Sequence, residues 1–399
     1  MNIEQDNVWT IRLPDSDLVF TRYLYIKDEV KINLLVSILQ KNANAVFWGY
    51  ELYESGFKNE FFQLIWKIYY DFFASTNPKL ESFILKKYME WLTNKDKTSN
   101  IVSCLVNILV SISFNNDVFM LRNICENFEV DCVYHNITKK IKNIDDFSVN
   151  IEKWIETEDY RSISQFILNT GHDINLIDMY SICLNYFEKV GIKLTKNRSL
   201  KEFILILKID VNPNLILLSK VMHLFSKKKG AKNRKSTYLE IEENIVIDQE
   251  MATNIENVSS YNVLKEVCKY GIDDCKHLSL FKLTRKKYNV SEKYRYNWEY
   301  HASFSPVWMD RIKKYGGYVD YLKKSVVFQE DPNDDLMQNF YSSYGYEPDE
   351  QPKSIQDKSI CEIEKRYDWN WFDKTYKNKG LVDIWEEELD EFNLVPLSY

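Results

Sequence analysis

The sequence predicts a mainly α-helical protein, an irregular solenoid of helical hairpins carrying an aromatic, less regular C-terminal portion. Three observations lead there. Gly and Pro are scarce, 10 and 8 residues in 399, where the two together average roughly 12% of a globular chain. Aromatic residues make up 15%, which excludes a disordered or collagen-like chain and supplies bulky contacts. Apolar residues recur at helical spacing with short gaps between the runs, so sequential helices pack as antiparallel neighbours.

Residues 1–21, with Pro14 and the turn signal Asp15-Ser16-Asp17, read as an extended lead-in. Lys27-Asp28-Glu29 places acid in the first turn of a helix whose apolar positions are Val30, Leu34, Leu35, Ile38 and Leu39. Ala45–Tyr53 forms the second helix and Gly56 ends it in the left-handed conformation. Phe57–Phe73 is a third, strongly aromatic helix. Asn77-Pro78 opens a fourth with Pro at its first position, and its apolar face runs Leu80, Phe83, Ile84, Tyr88, Trp91. Ile101–Ile112 is the fifth. The apolar stretch Ile101–Phe114 is too short to span a bilayer and fits a buried helix.

From residue 121 onward four aspartates, Asp131, Asp173, Asp210 and Asp274, anchor an internal repeat. Ten residues before them stand Leu121, Ile163, Leu200 and Leu264. Seven before stand Ile124, Phe166, Phe203 and Val267, and six before, Cys125, Ile167, Ile204 and Cys268. Immediately after come Cys132, Ile174, Val211 and Cys275, and six after, Ile137, Met179, Ile216 and Leu280. Ile163–Asn175, with Phe166-Ile167-Leu168 followed by Gly171-His172-Asp173-Ile174-Asn175, resembles the second helix and loop of an ankyrin unit. Leu200–Asn212 is similar but lacks the Gly, and the Thr-Pro-Leu-His turn of ankyrin repeats is absent. The resemblance implies a degenerate ankyrin-like or HEAT-like hairpin solenoid over residues 22–290. Residues 226–260, where Lys227–Lys235 is followed by Glu240, Glu242, Glu243, Asp248 and Glu250, read as a charged insertion or loop within it. The segments Ala45–Phe57 and Tyr69-Tyr70-Asp71-Phe72 are similar to segments of uncharacterised giant DNA virus proteins. That likeness implies a viral origin, with the host cytoplasm or the virion as location.

Residues 291–399 change character. Tyr294, Tyr296, Trp298, Tyr300, Phe304 and Trp308 crowd fifteen positions, and acidic Pro-containing stretches follow. Helical signals return at Lys358–Tyr367 and Leu381–Phe392, the latter an acidic amphipathic segment expected to dock onto the rest of the chain, the alternative being insertion in a partner groove.

The formal charge of −7 carries no overall bias toward nucleic acid or anionic membranes. Seven dispersed cysteines and a polar, acidic start, Met1–Asp6, point to a reduced, intracellular protein without a membrane partner. No phosphate-cradling glycine loop, nucleophile elbow or His-Glu-x-x-His helix occurs, so no catalytic residue, cofactor or metal is expected. Cys125, Cys132 and His135, and Cys268, Cys275 and His277, have the types of zinc ligands. The apolar residues at the equivalent repeat positions make those cysteines core residues instead. Asp331, Asp334 and Asp335 read as a solvated acidic loop, and His223 as a core histidine.

The expected function is that of a non-enzymatic protein-interaction scaffold. The alternative is an RNA-associated helical scaffold, such as a translation-factor-like platform. The candidate partner or RNA contacts are the basic Lys227, Lys228, Lys229, Arg234 and Lys235, and the ring-bearing Trp298, His301, Trp308, Trp369 and Trp371.

Overall fold

The computed structural model describes residues 18–94, 99–127, 144–170, 174–230, 243–253, 270–272, 290–329, 335–344, 365–367, 375–376 and 379–382. Among these residues the fold is mainly helical, with two small two-stranded sheets.

The first five helices follow the apolar periodicity closely: α1 Lys27–Leu39, α2 Asn44–Glu54, α3 Lys58–Ile68, α4 Leu80–Thr93 and α5 Asn100–Ser111. Helix α2 lies between α1, α3 and α5. A side chain at Gly49 would meet Val102 of α5 at 2.9 Å, so the missing Cβ sets how closely these two helices approach. Gly56 has φ +94°, the left-handed geometry expected after α2. A Cβ there would also strike Pro306, at 2.5 Å. Two differences from the sequence reading appear. Helix α3 loosens into a buried π-helical turn, Tyr69–Phe73, and Pro78 sits in the turn before α4, whose N-cap is Lys79.

Next come α6 Asp117–Asn127, α7 Ile144–Thr157, α8 Tyr160–Asn169, α9 Leu176–Lys189, α10 Lys196–Ile206 and α11 Pro213–Lys228. Asn175 and Asn212, equivalent in the repeat alignment, each cap a helix: the side chains accept from Ile177 N and Asn214 N. Helix, loop, Asn cap and helix therefore recur in α8–α9 and α10–α11. The apolar column does not recur uniformly, because Ile167 is buried whereas Ile204 is 43% exposed. Asp131, Asp173 and Asp274 lie outside the described residues. Helix α11, apolar nearly all round, packs on α6, α8, α9 and the π turn, a central position rather than contact with sequential neighbours alone. Part of the segment read as a charged insertion is helical: α11 continues to Lys228, and α12 spans Glu243–Thr253 against α5 and α2.

Farther on lie β1 Tyr270–Ile272, α13 Val290–Ala302, α14 Pro306–Lys314, the hairpin of β2 Gly317–Asp320 and β3 Ser325–Phe328, α15 Leu336–Tyr344 and β4 Lys365–Tyr367. Strand β4 pairs in parallel with β1, Tyr270 opposite Lys365, so the end of the segment read as helical at 358–367 is extended. Two hydrophobic cores result. The larger holds α1–α11, with Tyr376 and Val382. The smaller is built from Trp298, Ala302, Trp308, Ile312 and Phe340.

Residues 18–26 join the two cores as a tight turn, Phe20 bridged antiparallel to Ile26 and Leu24 left-handed at φ +61°. Leu18, Phe20, Leu24 and Ile26 enter the smaller core; Val19, Tyr23 and Tyr25 enter the larger. The turn is closed by Thr21 N donating to Tyr25 O and Leu24 N to Thr21 O, and its side chains leave it on both sides, so this short stretch serves both cores at once.

Candidate functional site

The rings proposed as contacts for bases or a partner are core residues. Trp298 is 2% exposed and Trp308 fully buried, their centroids 5.3 Å apart. Trp308 Nε1 donates to Thr21 O at 2.9 Å, and the Arg311 guanidinium lies 4.5 Å from its ring centre. His301 is buried as well: Nδ1 lies 3.0 Å from Leu18 O, and Phe20 N donates to His301 O. These faces are covered by the chain itself, because a short aromatic cluster minimises its exposure by folding inward. Trp369, Trp371, Arg234 and Lys235 lie outside the described residues, as do Cys132, His135, Cys268, Cys275 and His277.

The basic run divides. Lys228 and Lys229 both face Glu158, at 3.6 and 2.5 Å, and Lys228 also donates to Ile155 O. Lys227 turns the other way, into a cavity of about 260 Å³ between the start of α4, α10 with its preceding loop, and α11. There Glu81 Oε2 pairs with Lys220 Nζ at 2.5 Å while its Oε1 accepts from the Tyr70 hydroxyl at 3.1 Å. His223 Nδ1 is 2.7 Å from Ser75 O. A carbonyl only accepts, so the proton is on Nδ1 and Nε2 presents a lone pair. Lys220, His223 and Lys227 are spaced i, i+3, i+7 on a helix that is mostly apolar. That spacing is the signal in the sequence that marks a polar stripe on one face of α11.

Other buried charge is structural. Thr21 Oγ1 and Tyr23 N both donate to Glu51 Oε1, at 2.5 and 2.9 Å, and Arg22 Nε to Oε2 at 3.0 Å. Arg22 N donates to Ser55 Oγ, and Ser305 Oγ to Ser55 O, which ties the lead-in and α14 to the end of α2. Arg122 grips Asp71 of the π turn with two hydrogen bonds of 2.9 Å. Cys183 is buried, which pushes its thiol up to about 12; a thiol so protonated is not a nucleophile. Among the described residues no group of His, Cys, Asp and Glu side chains is arranged to hold a metal ion. Nor is any described helix long and apolar enough to cross a membrane.

Two buried groups titrate in opposite senses. Asp117 accepts at Oδ1 from the Leu381 and Val382 amides, at 2.7 and 2.9 Å, and at Oδ2 from Asn115 Nδ2. Burial outweighs those donors and raises its pKa to about 6. Its stabilising contribution is therefore full below the ordinary value of 3.8 and is lost as pH rises through about 6. His223 is pushed by burial from 6.5 down to about 4, so its contribution is lost as pH falls through that interval. Each slope reaches at most about 1.4 kcal/mol per pH unit, and they offset one another over the shared window. Thermal unfolding of the native chain should change little there. Asp117→Asn, which keeps the acceptor for the two amides, should lose stability toward acid, and His223→Gln should lose it toward neutral pH. A native-like profile in the Asp117→Asn variant would show that Asp117 does not titrate there.

Among the described residues the most exposed large apolar side chain, Leu322, stands on the β2–β3 hairpin. Leu322 at its tip is 97% exposed, with Tyr318 and Tyr321 about half exposed. Asp320 Oδ1 accepts from Leu322 N and Lys323 N, both at 3.0 Å, which fixes the turn. At the hairpin's base Phe328 packs on Phe340 of the smaller core, 4.9 Å between ring centres. Compared with known proteins, the chain matches no family model, no curated protein and no solved structure.

Proposed function

We propose that this chain is a non-enzymatic protein-interaction scaffold whose contact element is the β2–β3 hairpin. One observation carries the reading: a short, turn-capped hairpin rooted in the smaller core presents Leu322 almost wholly to solvent. A rigid apolar tip is an anchor for a partner pocket, since little ordering entropy opposes its burial. Tyr321 extends the apolar surface, and Lys323 and Lys324 flank it, so the partner has an apolar pocket with an acidic rim.

The test is affinity capture in parallel with the native chain and Leu322→Asp. A stoichiometric protein retained through nuclease treatment by the native chain, with affinity lowered about thirtyfold or more by the variant, is the expected result. The variant itself should unfold within about 0.5 kcal/mol of the native chain, because the side chain touches little. Equal capture by both chains, or a partner released by nuclease, overturns the proposal.

A further inference from the structure

The cavity between α4, α10 and α11 holds more positive charge than its own carboxylates neutralise. Lys79, Arg198, Lys220 and Lys227 line it against Glu81 and Glu202. Glu81 takes Lys220, and Glu202 takes Arg198 at 2.8 Å. Among the described residues, Lys79 and Lys227 have no ion pair within this cavity. Lys227 is half-buried, and burial alone draws its ammonium below the ordinary lysine value. An ammonium held partly out of water without a counter-charge is unfavourable, so the site favours a ligand that brings the missing negative charge.

Four further features narrow its chemistry. The half-buried Lys227 and the exposed Lys79 are the two cations without a carboxylate partner here, and the dianion of a phosphate monoester matches both with a single group. The lone pair of His223 Nε2 is an acceptor that a ligand hydroxyl can fill, since the Nδ1 proton is committed to Ser75 O. Leu85, Leu224 and Ile206 supply apolar wall. The volume, about 260 Å³, falls below the roughly 300–1,000 Å³ of sites for drug-sized ligands, so the molecule is small.

We propose that this cavity binds a small phosphomonoester, its phosphate between Lys79 and Lys227, a hydroxyl donating to His223 Nε2 and its carbon body on the leucine wall. The site is separate from the β2–β3 hairpin and does not depend on the scaffold role.

Calorimetric titration of the full chain near neutral pH, at constant ionic strength, tests it with three probes: glycerol 3-phosphate, inorganic phosphate and succinate. Saturable binding is expected for glycerol 3-phosphate, weaker binding for inorganic phosphate, which lacks the carbon body, and none for succinate. Lys227→Gln should weaken glycerol 3-phosphate about tenfold or more. Lys229→Gln, which removes only the contact to Glu158, should leave it unchanged. Without ligand, Lys227→Gln should unfold no earlier than the native chain, because the ammonium it removes has no counter-charge. Absence of binding, undiminished binding by Lys227→Gln, tighter succinate binding, or earlier unfolding of Lys227→Gln each overturns the assignment.

Discussion

Glu51→Ala is expected to destabilise the protein by about 3–5 kcal/mol, the usual loss when one partner of a buried ion pair is removed. The Glu51 carboxylate accepts three hydrogen bonds, from Thr21 Oγ1, Tyr23 N and Arg22 Nε. Alanine removes the acceptor from those donors and the carboxylate facing the buried Arg22 guanidinium. With a total stability of typically 5–15 kcal/mol, the loss is a large fraction of the whole. Glu51→Gln keeps one oxygen for Thr21 and Tyr23 N but loses the charge opposite Arg22, so it should fall between the native chain and Glu51→Ala. Urea titration gives both values. A loss for Glu51→Ala below about 1 kcal/mol, the worth of an exposed pair, would show that water reaches the carboxylate.

Trp308→Ala is expected to remove about 3–5 kcal/mol, through the void left by a buried tryptophan. Its effect should be local first. Trp308 packs on Trp298 and Phe340, carries Arg311 over its face and donates to Thr21 O, so its loss strikes the smaller core while the α1–α11 core keeps its own contacts. On heating, protease cleavage within the β2–β3 hairpin should appear before the far-ultraviolet helix signal falls, a departure from two-state unfolding. Trp308→Phe, which fills most of the volume but leaves Thr21 O only the Leu24 amide as donor, should cost about 1–2 kcal/mol. One coincident transition in Trp308→Ala would mean that the two cores unfold as a unit.

These variants also mark where the sequence is legible. The boundaries of α1, α2 and α5 follow from apolar spacing, and the end of α2 from Gly56. The Asn175 and Asn212 caps coincide with the recurring positions of the resemblance to ankyrin units. The candidate site was less legible. Trp298, His301 and Trp308 read as available rings because a ring-rich stretch has the same composition in a binding surface and in a core. Lys227, Lys228 and Lys229 read as one basic patch. The helix turn directs Lys227 to a cavity and the other two to Glu158, a division that follows from an advance of 100° per residue rather than from composition. Glu81, Lys220 and His223 attracted no functional reading, since Lys220 and His223 stand among apolar residues and Glu81 is distant from both in sequence.

By itself the sequence determined where helices form among the described residues of the first third and where several of them stop. Periodicity, caps and glycine act over a few neighbouring residues, so their free energies can be read locally. Only the tertiary structure decided which charges are paired, which rings are covered and where the cavity lies. Glu51 meets Arg22 across 29 residues, Arg122 meets Asp71 across 51, and Trp308 meets Thr21 across 287. Such partners are chosen by the packing of distant helices, where desolvation makes an unpaired polar group costly. The scarcity of Gly and Pro predicts long helices; it does not say which face of each one meets another.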